Sequence, residues 1–272
     1  MQPQVRLTRI YPASKVFPKE LLPLPRLPAI ALVIMEMAEA GIEHIRIVVR
    51  NGNFNAIQAL LDPHVKPPAS IENEPIVRRF EDVIRSTAFS FVEQNGGYGN
   101  GTPLIDAMAR SRDLPAIYAF ADDVVFGENA SARLLETFRI TGQPVLAAQC
   151  VPAEDVSKFG ILECVRSGRL HFVKRLIEKP NEGETTSRLA SLGRYVVTED
   201  LVDTLATTAT GRGGEIWLTD AILRLLREGS EIAACRLTRG RWHTVGTPDG
   251  FVKAVRAGLR AERTLVSNAR CI

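Results

Sequence analysis

The feature that most constrains the fold is a repeated change of period along the chain. Short apolar or β-branched runs, IRIVVR (45–50), TAFSFVEQ (87–94), AIYAFADD (116–123) and PVLAAQCV (144–151), alternate with stretches of helical spacing. Residues 28–40, PAIALVIMEMAEA, begin on proline and run up to Gly41, the start and stop a helix prefers. Residues 102 to about 112 and SARLLETF (131–138) read as further helices. Such alternation covers both faces of a sheet with helices, so a layered α/β fold with a largely parallel sheet is expected.

After residue 151 the pattern changes. ILECV and LHFVKRLI flank Arg166-Ser167-Gly168-Arg169, the signature of a hairpin. A helix at about 216–227, a strand EIAACRL (231–237) and a basic amphipathic helix near 250–263 follow. No repeat, low-complexity segment or linker interrupts the 272 residues, a length that supports a sizeable core. One domain over 1–272 is expected, with a half at about 1–150, a second at about 151–247 and a C-terminal helix at 248–272.

Composition excludes several function classes. A net charge of +3 and no Lys/Arg run of five or more argue against nucleic-acid binding. The four cysteines, Cys150, Cys164, Cys235 and Cys271, lack CxxC or Cys/His spacing, so zinc is not expected and reduced, mostly buried thiols are. AIALVIM (29–35) is far short of the ~20 apolar residues that span a bilayer. MQPQVRLTR at the start has no apolar signal core, so a cytoplasmic location without membrane contact is expected.

Ligands of open α/β sheets sit beyond the carboxyl ends of parallel strands. Gln94, followed by Gly99 and Gly101, stands at one such place. Its amide can read a base edge and the glycines admit close backbone approach; a surface loop is the alternative. Asp122-Asp123 close an apolar strand, either as ligands for a hard cation such as Mg²⁺ or as a turn and capping pair. Glu178-Lys179-Pro180 end another. On a regular strand Glu178 and Lys179 face opposite ways; a bend, for which Pro180 gives reason, would let a carboxylate meet sugar hydroxyls while the ammonium meets a phosphate. Otherwise they form a solvated turn. TRIYPASKVFPKELLPL (8–24) places Arg9, Lys15 and Lys19 among three prolines, as a phosphate clamp or a basic loop.

Taken together, these stretches resemble the bacterial UTP–glucose-1-phosphate uridylyltransferases and, more broadly, the sugar-phosphate nucleotidyltransferases. The matching residues are TRIYPASKVFPKELLPL (8–24), AGIEHIRIVV (40–49), Gln94 with GNGTPL (99–104), ADD (121–123), KFGIL (158–162), IEKP (177–180), LGRYV (192–196) and GGEIWLTDAI (213–222), in order. The resemblance implies a Rossmann-like three-layer α/β domain with a mixed, mostly parallel sheet. It implies formation of UDP-glucose and pyrophosphate from UTP and glucose 1-phosphate with Mg²⁺, in a homodimer or homotetramer. Thr8, Arg9 and Lys19 match the loop that handles nucleotide phosphates, Gln94, Gly99 and Gly101 the nucleotide-binding stretch, and Asp122 the metal-binding aspartate. Gly160, Glu178, Lys179, Gly193 and Glu215 match positions around the sugar phosphate. Arg9, Lys19, Asp122 and Lys179 are the expected catalytic set.

Three places depart from the family pattern. Val5, Arg6 and Leu7 stand where a Gly-x-Gly precedes Thr8, and the chain opens too late for a full first strand, so an upstream start is one expectation. Thr244, beside His243, stands where relatives carry a second metal-binding aspartate. Trp217 replaces the usual glutamine. Two readings follow from the sequence: an active uridylyltransferase, or an impaired homologue that binds UDP-sugar as a regulatory or structural subunit. A dinucleotide-dependent dehydrogenase does not fit, since no GxGxxG follows a first strand.

Overall fold

The computed structural model of the chain describes residues 10–50, 53–95, 97, 99–211 and 214–269, with side chains up to 264. Thr8 and Arg9 therefore lie outside the described residues, as does Cys271.

Helix α1 (Ala29–Glu39) starts after Pro28 and stops at Gly41, whose φ of +90° turns the chain out of the helix. Ile30, Val33, Ile34 and Met37 of α1 are buried, each worth about 1.5–3 kcal/mol against exposure. The chain returns as β1 (His44–Val49), which pairs in parallel with β2 (Ala88–Glu93). Between them lie α2 (Phe54–Leu60) and α3 (Pro75–Ser86), which the sequence reading did not anticipate. Yet α3 has a helical signal: Ile76, Phe80, Val83 and Ile84, spaced i, i+4, i+7 and i+8, are its buried residues. Helix α4 (Thr102–Met108) ends short of the expected 112, and Arg46 of β1 donates to the carbonyls of Ala107 and Ser111, both at 3.0 Å.

The run 116–123 is not one strand. It divides into β3 (Ala116–Ala119) and β4 (Asp123–Phe126), with Phe120, Ala121 and Asp122 in a turn. After α5 (Ala130–Thr141) come β5 (Val145–Cys150), the hairpin β6 (Gly160–Ser167) and β7 (Leu170–Glu178), and β8 (Leu189–Val197). Helices α6 (Glu199–Ala206) and α7 (Leu218–Arg227), strands β9 (Ala233–Arg236) and β10 (Arg241–Thr244) and the long α8 (Pro248–Ala269) complete the order. Six strands form one sheet in the order β3-β8-β5-β9-β7-β6, and β10 pairs antiparallel with β4.

The fold is thus mixed α/β, as expected. Parallel pairing among the described residues is confined to β1–β2 and β5–β9, because the chain after 151 returns through hairpin-type, antiparallel partners. One apolar core lies around α1, β1 and α3 and takes in Val124, Val245 and Ala254; a second joins β5, β7 and β8 to α6 and α7. Cys235 is buried and Cys164 partly so, whereas Cys150 is exposed, a correction to the expectation for that thiol. Among the described residues, no helix is long and apolar enough to cross a membrane.

Candidate active site

The turn between β3 and β4 presents Asp122 to a cation. Lys19, in a short 3-10 turn after Pro18, places Nζ 2.6 Å from Asp122 Oδ2. Burial weakens the hold of Lys19 on its proton, but Asp122, helped by Glu20 and Asp123, outweighs it and the pKa is raised. The Asp122 carbonyl accepts from the Val245 N–H at 2.9 Å. A methyl group built on Gly246 would stand 3.4 Å from both Asp122 Oδ2 and Thr244 Oγ1, so the carboxylate and the hydroxyl flank one small space. His243 belongs elsewhere: it pairs with Val124 on the strand, and its ring lies 5.9 Å from that of Phe126.

The neighbouring acid has a different task. Asp123 is buried, and its Oδ2 accepts from the Gly193 N–H at 3.1 Å. Burial, with Asp122 beside it, pushes its carboxyl up to about 7, while Arg194 and the Thr244 hydroxyl pull the other way. Gly193 is required there because a Cβ would fall 2.5 Å from Asp123 Oδ2 and from the Phe120 ring. Asp122 pairs with Lys19; Asp123 holds the turn together. Among the described residues no group of three or more His, Cys, Asp or Glu side chains could hold a metal ion. The residues still fit Mg²⁺, which is commonly bound by one or two carboxylates with substrate phosphates and water, and the ammonium of Lys19 marks a cation position on Asp122.

Glu178 and Lys179 form the second part. Glu178 ends β7 opposite Gly160 on β6. Lys179 has φ +49°, the only positive φ on a non-glycine among the described residues, and its N–H donates to the Phe159 carbonyl at 3.1 Å. The bend that the sequence reading assigned to Pro180 therefore falls one residue earlier, in a left-handed backbone that disfavours L side chains. It brings Lys179 Nζ to 3.9 Å from Glu178 Oε1, so the two charges share one side. Burial raises the Glu178 pKa; Lys179 opposes this and Asp220 adds to it.

The third part is the loop after β2. Arg50 Nε donates to Gln94 Oε1 at 3.1 Å, and Gln94 Nε2 donates to the Gly97 carbonyl at 3.2 Å. Gly99, with φ +120°, packs so tightly that a Cβ would lie 2.0 Å from the Ile216 carbonyl oxygen. The Gly101 N–H donates to that oxygen at 2.9 Å, and the Leu218 N–H to Asn100 Oδ1 at 2.8 Å. The close approach at Gly99 is thus made by the chain itself, which fastens the loop to the segment bearing Glu215 and Trp217. Glu215 accepts through its carbonyl from Gly211 N–H at 2.8 Å. Two tyrosines, Tyr118 partly buried and Tyr195 buried, link the parts. The Tyr118 hydroxyl donates to the Asn100 carbonyl at 2.6 Å, and burial raises its pKa, with Asp122 among the added causes. Burial likewise raises that of Tyr195, with Asp123 and Glu178 adding to it.

Sequence reasoning missed Arg194 and Glu36. Arg194 is 1% exposed, and Nε lies 3.2 Å from Glu36 Oε1. A glutamate between two methionines, Met35-Glu36-Met37, and a lone arginine in LGRYVV were signals, because buried charges need partners. The structure thus pairs Lys19 with Asp122, sets Gly193 against Asp123, joins Gly160 and Lys179 to Glu178, and packs Gly99 and Gly101 on Ile216 beside Glu215, while Gln94 is held separately by Arg50 and Gly97.

Residues 7–260 match the family model described as Nucleotidyl transferase. The chain is 36% identical over 251 residues to UTP–glucose-1-phosphate uridylyltransferase 2 of Staphylococcus saprophyticus, covering 90% of this chain and 86% of the relative. It is 31% identical over 252 residues to UTP–glucose-1-phosphate uridylyltransferase YngB of Bacillus subtilis, covering 91% and 84%. Among solved structures, UDP-glucose pyrophosphorylase complexed with UDP-glucose superposes with a TM-score of 0.83 at 26% identity, covering 93% of this chain and 95% of the other. UTP-bound UGPase from Acinetobacter baumannii superposes with a TM-score of 0.77 at 25% identity, covering 96% and 95%.

Proposed function

The chain belongs to the nucleotidyl transferase family, and from that premise we propose that it transfers uridylyl from UTP to glucose 1-phosphate, giving UDP-glucose and pyrophosphate. A phosphate oxygen of the sugar attacks the α-phosphorus of UTP, and the α–β bridging oxygen leaves with pyrophosphate. Four negative charges enter on UTP and two on the sugar phosphate; the same six leave on pyrophosphate and UDP-glucose, so no protein nucleophile or proton transfer is needed. The task of the chain is to hold two repelling anions in line.

The observation that carries this reading is the contact between Lys19 and Asp122 at 2.6 Å, on the turn whose partner strand supplies Thr244. Lys19 and Asp122 attend the α-phosphoryl group, and Thr8 and Arg9 the remaining nucleotide phosphates. Asp122, with the Thr244 hydroxyl beside it, would hold Mg²⁺, whose positive charge would offset that of the phosphoryl oxygens. Lys179 meets the phosphate of the sugar substrate and Glu178 accepts from its hydroxyls; Gly160, Gly193 and Glu215 line that side. Gln94, turned by Arg50, faces the base, and Gly99 and Gly101 shape its loop. The test is mass-spectrometric detection of UDP-glucose after incubation with UTP, glucose 1-phosphate and Mg²⁺. Failure to form any UDP-sugar across a panel of sugar 1-phosphates overturns the assignment. A soluble, cytoplasmic homodimer or homotetramer accompanies this proposal.

A further inference from the structure

We propose that Arg194 and Glu36 are a positioning pair for Asp122, acting through the backbone on either side of it; this rests on the reading that Asp122 holds the cation. The turn Phe120–Asp122 lies between β3 and β4; backbone bonds take the Phe120 N–H, to the Gly193 carbonyl at 2.8 Å, and the Asp122 carbonyl, from the Val245 N–H at 2.9 Å, which leaves the Asp123 carbonyl and a lone pair of the Phe120 carbonyl open to side-chain donors. Arg194 supplies what the ladder lacks. Its Nη1 donates to the carbonyls of Phe120 and Gly193, both at 3.0 Å, and its Nη2 donates to the Asp123 carbonyl at 2.8 Å. Phe120 and Asp123 bracket the turn, so one planar guanidinium fixes both ends of the segment that carries Asp122.

Glu36 fixes the guanidinium in turn. Its Oε1 accepts from Arg194 Nε at 3.2 Å, from Ser131 Oγ at 2.6 Å and from the Ser131 N–H at 3.0 Å, while its carbonyl accepts from Asn129 Nδ2 at 2.8 Å. A continuous chain of hydrogen bonds thus runs from the start of α5, through α1, to the turn. A buried ion pair is weak as a stabilising device, since apolar residues of equal volume often serve as well. An apolar pair could fill this space but could not hold three carbonyls at set angles. A lysine could not either, because its ammonium lacks the fork. The pair therefore sets geometry, and the group whose geometry it sets is Asp122.

The test uses the full chain with Arg194→Lys and Glu36→Gln. Three properties are measured: Mn²⁺ binding in the presence of UTP, by paramagnetic resonance of free Mn²⁺; amide hydrogen exchange; and kcat with KM for each substrate. Small misplacements near a reaction centre cost up to about a hundredfold, so Arg194→Lys is expected to weaken Mn²⁺ binding and lower kcat by about tenfold or more. KM for glucose 1-phosphate moves less than Mn²⁺ affinity, because on the sugar side only the Gly193 carbonyl loses a donor. Exchange rises in peptides covering 120–124 and not in those covering 145–150. Parent-like Mn²⁺ binding and local exchange, with only a lower thermal midpoint, would overturn the proposal.

Should Arg194→Lys fail to fold, Glu36→Gln decides, since it preserves volume and acceptor oxygen. The same changes are then expected at about threefold, and parent-like values overturn the proposal. A parent protein that makes no UDP-sugar defeats the functional reading instead; exchange at 120–124 still reports on the pair.

Discussion

The N–H of Gly193 points at the carboxylate of Asp123, 3.1 Å away, and its Cα is so close that a Cβ would stand 2.5 Å from the same oxygen. The glycine is a packing requirement of the turn that carries Asp122. Gly193→Ala is expected to cost roughly 1–3 kcal/mol of stability through overpacking, read by chemical denaturation. It should also lower activity in the fraction that remains folded. An unchanged unfolding midpoint would show that the turn relaxes freely.

Lys179 combines a charge with a left-handed backbone, and two substitutions separate these. Both Lys179→Ala and Lys179→Gly remove the ammonium and should raise KM for the sugar phosphate to a similar extent. Glycine bears no penalty at φ +49°, so Lys179→Gly should be more stable than Lys179→Ala by roughly 1 kcal/mol. Equal stability of the two would mean that the bend is not maintained in solution.

The raised pKa of Glu178 gives a pH dependence of defined sign. As pH falls toward that value the carboxylate takes up a proton and no longer accepts freely from sugar hydroxyls, so KM for the sugar phosphate rises while KM for UTP does not. Stability moves the other way. The folded chain binds this proton more tightly than the unfolded chain, so the contribution of Glu178 to stability grows as pH falls through the window between the two pKa values. The acid-side loss of sugar affinity should therefore vanish in Glu178→Gln, and with it the share of Glu178 in the pH dependence of stability.

Thiol reactivity should follow burial. Burial pushes Cys164 up to about 11, so at pH 8 few of its molecules carry a thiolate, whereas Cys150 is exposed. Limited treatment with iodoacetamide, mapped by peptide mass, should label Cys150 well before Cys164. The reverse order would contradict the placement of β5 and β6.

Much of this was legible in the sequence because periodicity and local punctuation coincide. PAIALVIMEMAEA declares α1 at both ends, and the Arg166–Arg169 turn declares the β6–β7 hairpin. Helix α3 and strand β8 were harder: α3 follows a Pro-rich stretch, and β8 is buried almost throughout, so its residues do not alternate between apolar and polar. The break after Ala119 could not be read locally, because it depends on Arg194 and Gly193, far along the chain, taking the backbone groups of Phe120. The same holds at the site. Asp122, Glu178 and Lys179 stand out as charges closing apolar strands, yet the division of labour between Asp122 and Asp123 is set by what surrounds each one. The approach of Ile216 to Gly99 is likewise a tertiary fact, invisible in a glycine-rich loop read alone.

The most direct test is Mg²⁺-dependent release of pyrophosphate from UTP and glucose 1-phosphate, compared between the parent chain and Asp122→Asn. The variant preserves shape but removes the charge on which Lys19 and the cation converge. Loss of at least about a hundredfold in kcat is expected, in line with removal of a preorganised electrostatic group. A variant as active as the parent would contradict the placement of the phosphoryl-transfer centre at Asp122.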